Sequence, residues 1–339
     1  MPDLFPAASL DVLRGRLSAL PQPDAAAAQA ARDRQGSLTK PPGSLGRLED
    51  LAIFMAEWLG TERPRIARAQ AVIFAGNHGI CAQGVNPYPQ EVTAQMVANF
   101  EHGGACINQM CRANGAELSV VPLDLDRPTQ DFTQGPAMTE AETLDAMARG
   151  AAAVDKTAQV LVLGEMGIGN STIAAALARA TFGGHASDWV GPGTGSDADG
   201  MSLKARVIEA GIARHADTLG NPLAVLAALG GREQAAICGA VLAARMARIP
   251  VILDGFICSA SAAVLHSFAG ALDHCLVGHA STEPGHRRLL AAMGKEPVLE
   301  MRMRLGEGSG AALALGILRA ALECHNGMAT FAEAGVSGG

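Results

Sequence analysis

Residues 160–172 read Val160-Leu161-Val162-Leu163-Gly164-Glu165-Met166-Gly167-Ile168-Gly169-Asn170-Ser171-Thr172. Four consecutive apolar residues, two of them β-branched, mark a strand buried on both faces. The glycines after it mark a tight turn, and a helix is expected over Ser171–Ala180. A strand, a glycine turn and a helix in that order form half of a βαβ unit. They also bring the free N–H groups of a helix start to the strand's carboxyl end, where an anion binds well.

The same rhythm extends along the chain. Apolar runs at Ala71–Ala75, Leu118–Leu123, Val251–Leu253 and Leu272–Val277 alternate with helical patterns at Glu91–Glu101, Thr139–Val154, Arg232–Met246 and Ser259–Phe268. Strands that alternate with helices predict an α/β fold with a doubly wound, mostly parallel, Rossmann-like sheet. The first 65 residues hold no convincing strand. Their helical patterns, including Asp24–Ala31 with Asp24 as its cap, are broken by Pro21, Pro23, Pro41 and Pro42. A final helical pattern, Ala311–Cys324, has no strand after it. A small helical subdomain from residues 1–65 and 311–339 is therefore expected beside an α/β catalytic domain over 66–310, with Arg127–Met138 as the most linker-like internal loop.

Composition excludes several classes of function. Of 339 residues, 49% are hydrophobic and 17% charged, which suits a large packed core rather than a disordered chain. A net charge of −7, one Tyr and two Trp offer neither the basic patch nor the stacking surface of a nucleic-acid binder. No uncharged apolar run reaches the ~18 residues of a membrane span. Met1–Pro6 lacks the basic and apolar regions of a signal peptide, and seven scattered cysteines form no C-x-x-C pair. A cytoplasmic protein with reduced thiols is the expectation. Glycine is in excess, 40 residues against the usual ~7% of a chain.

Ligands of open α/β sheets bind beyond the carboxyl ends of the strands, so the loops there carry the chemistry. The turn at 164–172 nearly matches the P-loop pattern, but Asn170 stands where the lysine belongs. A single phosphate suits it better than a triphosphate; an ordinary capped turn is the alternative. Gly193-Thr194-Gly195-Ser196-Asp197-Ala198 formally matches a dinucleotide loop without a strong strand before it, and Lys204 follows as a source of positive charge or a solvated helix residue. In Arg304-Leu305-Gly306-Glu307-Gly308-Ser309-Gly310, glycines bracket a carboxylate. Apolar neighbours would raise Glu307 toward general-base range, or Glu307 complements the following helix dipole. After the first strand, Gly76-Asn77-His78-Gly79 and Gln90-Glu91 supply further polar groups. His274, His279, Glu283 and His286 match no metal-ligand spacing and read as a structured loop and cap. Asp254 ends its strand as a ribose contact or a helix cap.

Taken together, these stretches resemble the nicotinate-nucleotide–dimethylbenzimidazole phosphoribosyltransferase family of cobalamin lower-ligand synthesis. The resemblance rests on Leu38–Glu49, Gly76–Gly79 with Pro89–Thr93, Gly164–Thr172, Gly191–Gly195 with Lys204, Leu253–Phe256, Gly278–His286 and Leu305–Gly310. One departure is Asn86, where Ser is expected. The resemblance implies transfer of phosphoribose from nicotinate mononucleotide to 5,6-dimethylbenzimidazole, giving α-ribazole 5′-phosphate and nicotinate with inversion at C1′. It implies Glu307 as general base, Glu165 as a second carboxylate or ribose neighbour, and Gln90, Met166 and Leu305 around the base. Gly167, Ile168, Gly169, Asn170, Ser171, Thr172, Gly193, Thr194, Gly195 and Lys204 would hold phosphate and ribose. No metal or organic cofactor is implied, and a homodimer is. An NTP-dependent kinase-like enzyme and a noncatalytic nucleotide-binding regulator are the rival readings.

Overall fold

The computed structural model describes residues 4–337. Six strands form one parallel sheet: β1 (Ala69–Ala75), β2 (Ala116–Pro122), β3 (Val160–Met166), β4 (Val251–Leu253), β5 (Cys275–His279) and β6 (Pro297–Leu299). Their order is β2-β1-β3-β4-β5-β6. The chain steps outward from β1 to β2, then returns to lay β3 on the other side of β1. That reversal opens a crevice between β1 and β3 at their carboxyl ends. The fold is thus α/β and doubly wound as the sequence predicts, with a strand order unlike the 3-2-1-4-5-6 of the dinucleotide-binding domains.

Alternation along each strand divides the core into two layers. Leu161 and Leu163 of β3, with Val72 and Phe74 of β1, face a layer that includes the helices Arg232–Met246 and Phe256–Ala263. Val160 and Val162, with Ala71 and Ile73, face the opposite layer, where Leu51, Met55, Ile107, Leu315 and Leu318 pack. Strands buried on both faces need continuous apolar runs, which is why four of the five expected strands are so legible. β2 lies at the sheet edge, where half-buried and exposed residues alternate instead of forming a buried run. β6 has no counterpart in the sequence reading: it is three half-buried residues opening with Pro297, which an edge tolerates because no partner needs its missing N–H.

Helix ends move by a few residues from expectation for identifiable reasons. Thr139 is a cap rather than a helical residue, its hydroxyl accepting from Glu142 N while Glu142 reaches back to Thr139 N. The helix expected from Ser259 begins at Phe256, directly after β4 and the Asp254-Gly255 pair. The 127–138 loop is anchored: Phe132 is fully buried and Gln130 N donates to Ala137 O at 2.8 Å.

We propose that residues 1–65 and 311–339 form a helical unit, of which 1–3 and 338–339 lie outside the described residues. Its support is the contact between chain ends: the buried Arg34 donates to His325 O at 2.8 Å and Met328 O at 3.1 Å. The Ser309–Gly327 helix also covers the sheet through Ala311 and Leu315, so the unit shares a core with the α/β layer. Among the described residues no helix is long and apolar enough to cross a membrane.

Candidate active site

A cleft of about 670 Å³ lies over the carboxyl ends of the strands. The residues following β3, β4 and β5 meet there, together with the 304–307 loop and the 193–194 turn. Of the residues predicted from sequence, Glu165, Met166, Gly167, Ile168, Gly169, Asn170, Ser171, Gly193, Thr194, Leu305 and Glu307 line it. Four predicted residues do not. Thr172 is fully buried in its helix, and Gly195 closes a turn with its N–H on Pro192 O. Lys204 is 3% exposed, with its ammonium 3.4 Å from both Ser171 Oγ and Gly191 O, directly behind the lining. Gln90 donates its side-chain amide to the carbonyl of His78.

The Glu307 loop has an unusual backbone. Gly306, Glu307 and Gly308 have φ of 81°, 64° and 84°, three consecutive residues in the left-handed region. For glutamate that conformation costs about 1–2 kcal/mol, so the surroundings must impose it. Asp254, just after β4, does so. Its carboxylate accepts Gly308 N at 3.2 Å and Ala311 N at 2.8 Å, capping the helix that follows. From below, Gly164 of β3 lies flat against the loop; a Cβ there would stand 2.5 Å from Glu307 O. Glycine at 164 is therefore a requirement of close approach.

Four carboxyl groups gather around this junction. Glu165 is buried, and its pKa is pushed up to about 8, first by burial and then by the charges of Asp254, Glu233 and Glu307. One of its oxygens accepts the side-chain amide of Asn170, which opposes the rise. The position that would carry a P-loop lysine is thus spent on holding Glu165. Glu307 is raised to about 7 by burial and by Asp254. At neutral pH Glu165 holds its proton while Glu307 titrates, which suits Glu307 to accept a proton from a bound ligand. Burial pulls the Lys204 ammonium below its ordinary range, and Glu283 works against that pull.

Several lining residues escaped the sequence reading. His279 and Glu283, which read as parts of a structured loop, both face the cleft, as do Ser281 and Arg304. His279 lies 3.6 Å from Asp254. The signal that would have found them is the strand-end rule applied to β5. The flanking histidines are structural. His274 rests Nε2 against Val241 O at 2.9 Å, and His286 accepts Ser281 N at 2.9 Å; burial depresses both to about 3, so both are neutral. His78 is fully buried, 2.6 Å from the equally buried Glu233. Asn86 lines the cleft and donates to Tyr88 O at 2.6 Å.

A family model described as phosphoribosyltransferase matches residues 20–336. The nicotinate-nucleotide–dimethylbenzimidazole phosphoribosyltransferase of Rhodobacter capsulatus is 66% identical over 319 residues, covering 94% of this chain and 95% of that protein. The protein of the same name from Ruegeria pomeroyi is 61% identical over 327 residues, 96% of this chain and 97% of its own. The crystal structure of that enzyme from Thermus thermophilus superposes with a TM-score of 0.87 at 40% identity, covering 93% of this chain and all of that one. This chain therefore belongs to the nicotinate-nucleotide–dimethylbenzimidazole phosphoribosyltransferase family.

Proposed function

We propose that the cleft transfers phosphoribose from nicotinate mononucleotide to 5,6-dimethylbenzimidazole, with Glu307 as the base. The observation that carries this reading is a carboxylate of near-neutral pKa held in a strained loop on the lining of the cleft, beside the apolar Met166 and Leu305. In the reaction the C1′–N bond of the mononucleotide breaks, and its electron pair returns to the pyridinium ring. Nicotinate leaves without needing a proton. One nitrogen of the benzimidazole forms the new bond to C1′ from the opposite face, converting β to α. Its other nitrogen loses its proton to Glu307. Glu165, protonated at neutral pH, lies beside that loop, its Oε1 2.8 Å from where a Cβ on Gly306 would stand.

The phosphate end of this reading is the Gly167–Thr172 turn, the Gly193–Gly195 turn and Lys204, whose charge reaches Ser171 from behind. Met166 and Leu305 contribute the apolar wall for the base, with Leu305 55% exposed at the mouth. Gln90 does not line the cleft, its side-chain amide being taken by the His78 carbonyl, so we leave it out of that wall. We also infer a homodimer, and the exposed side chains of Tyr88, Met301 and Leu305 support it as surface that a second copy could cover. The seven cysteines are all free thiols, in keeping with a cytoplasmic location. The test is to incubate the purified protein with nicotinate mononucleotide and dimethylbenzimidazole and follow nicotinate and the new nucleotide. Absence of product with any benzimidazole would refute the reading.

A further inference from the structure

Glu283 places a carboxylate on the lining of a cleft proposed to bind a phosphate. It follows β5, is 8% exposed and faces the cleft. Its Oε1 accepts the N–H of Gly193 at 3.0 Å. Its Oε2 lies under Gly191 with no hydrogen-bond partner, so close that a Cβ on Gly191 would collide with it. On the other side of the same peptide segment, Arg304 donates to Gly193 O at 3.2 Å. Gly193 is thus gripped through its donor by Glu283 and through its acceptor by Arg304. Lys204 reaches Gly191 O at 3.4 Å and Ser171 Oγ at 3.4 Å.

We propose that Glu283 is a positioning residue for the phosphate end of the site. It fixes the 191–194 turn over Lys204, so that the ammonium, Ser171 and the turn face one point. This inference rests on the phosphoribosyl-transfer reading above. Two features support a holding role over a contact with the ligand. The carboxylate oxygen nearest the turn is already satisfied by a backbone donor, and the other is walled off beneath Gly191. A buried anion close to the Lys204 ammonium also favours its charged form, against the burial that disfavours it. Gly191 fits this arrangement, since a Cβ there would collide with the Glu283 carboxylate and also meet Pro284 Cδ at 2.8 Å.

The test is steady-state kinetics of the full-length protein with both substrates varied, together with calorimetric binding of nicotinate mononucleotide. Glu283→Ala removes a charged hydrogen bond to the turn and is expected to raise KM and Kd for the mononucleotide by roughly ten- to a hundredfold. The KM for dimethylbenzimidazole should stay within about twofold, because that substrate meets the 305–307 loop instead. Glu283→Gln keeps an acceptor for Gly193 N–H and should recover most of the loss. Gly191→Ala displaces the carboxylate from the other side and should reproduce the same one-sided KM change, which serves if Glu283→Ala does not fold. Equal changes in both KM values, or tighter mononucleotide binding in the variants, would overturn the inference. If the unaltered protein binds no mononucleotide, the functional reading itself fails; if it binds and turns over while Glu283→Ala binds equally well, only the role of Glu283 fails.

Discussion

The carboxylate of Asp254 accepts the N–H of Gly308 at 3.2 Å, joining the end of β4 to the loop that carries Glu307. The two residues are far apart in the chain, yet this contact and its companion to Ala311 hold a glutamate in the left-handed region. The position of Glu307, the proposed base, is therefore set from the end of β4 rather than from its own loop.

Removing that hold should be costly. Asp254→Ala is expected to lower kcat by about a hundredfold through misplacement of the base, since errors of ~1 Å cost that much. Loss of the cap should also destabilise the fold by ~1 kcal/mol. In the milder Asp254→Asn, the Glu307 carboxyl loses a neighbouring negative charge, and the acid limb of the rate profile should move to lower pH. A limb that stays at its wild-type pH would break the electrostatic link between the two residues.

Activity should rise with pH through about 7, where Glu307 loses its proton. The sign follows from the role of a base, which works only when ionised. Glu307→Gln should reduce turnover by about 10²–10⁴-fold while leaving mononucleotide binding in place. Full activity in that variant would remove Glu307 from the chemistry.

Glu165 makes a separate prediction about stability. Its folded pKa, about 8, lies above its unfolded value near 4.5. The folded state therefore binds the extra proton, and its stability declines as pH rises from the lower value through the higher. Glu165→Gln mimics the protonated form. It should melt close to wild type at pH 5 and at a higher temperature than wild type at pH 9. Parallel melting curves at both values would show that Glu165 ionises freely in the fold.

Gly164→Ala tests the contact between the two glycine loops. Its backbone is not left-handed, so alanine is conformationally allowed and only the contact with Glu307 O and Gly308 N is at stake. Those atoms are main chain and cannot rotate away. A loss of about 1–3 kcal/mol in urea unfolding, with reduced kcat, is expected from overpacking. An unchanged variant would mean that the 306–308 loop is free to move.

His78 and Glu233 form a buried pair behind the phosphate turn; a Cβ on Gly167 would lie 2.9 Å from both. His78→Ala should destabilise the protein by about 3–5 kcal/mol, because it leaves the buried Glu233 carboxyl with only the amide of Gln234. Replacing both by apolar residues should cost less than the single change. Urea unfolding of the three variants decides the matter.

The glycine excess, so prominent in the sequence, has more than one origin. Part of it forms the loops of the cleft. Another part lies in helices, as where Gly150 and Gly239 let two helix backbones touch at Ala236 and Met147. Composition alone does not separate these uses, because a missing side chain serves a turn and a close helix contact alike.

Chain spacing by itself determined the parallel α/β architecture, since the long strands are runs of apolar residues whose periodicity is local. It also determined that Glu165 and Glu307 sit at a strand end and a helix start, where a ligand is met. Only the tertiary structure decided the rest. The order of the strands, the short edge strand Pro297–Leu299, the seat of Lys204 behind Ser171, and the entry of Asp254, His279 and Glu283 into the cleft all depend on partners remote in the chain. The same holds for the raised pKa values of Glu165 and Glu307. Burial and the nearness of other charges come into being only when the sheet assembles, and no residue carries them in its own neighbourhood of sequence.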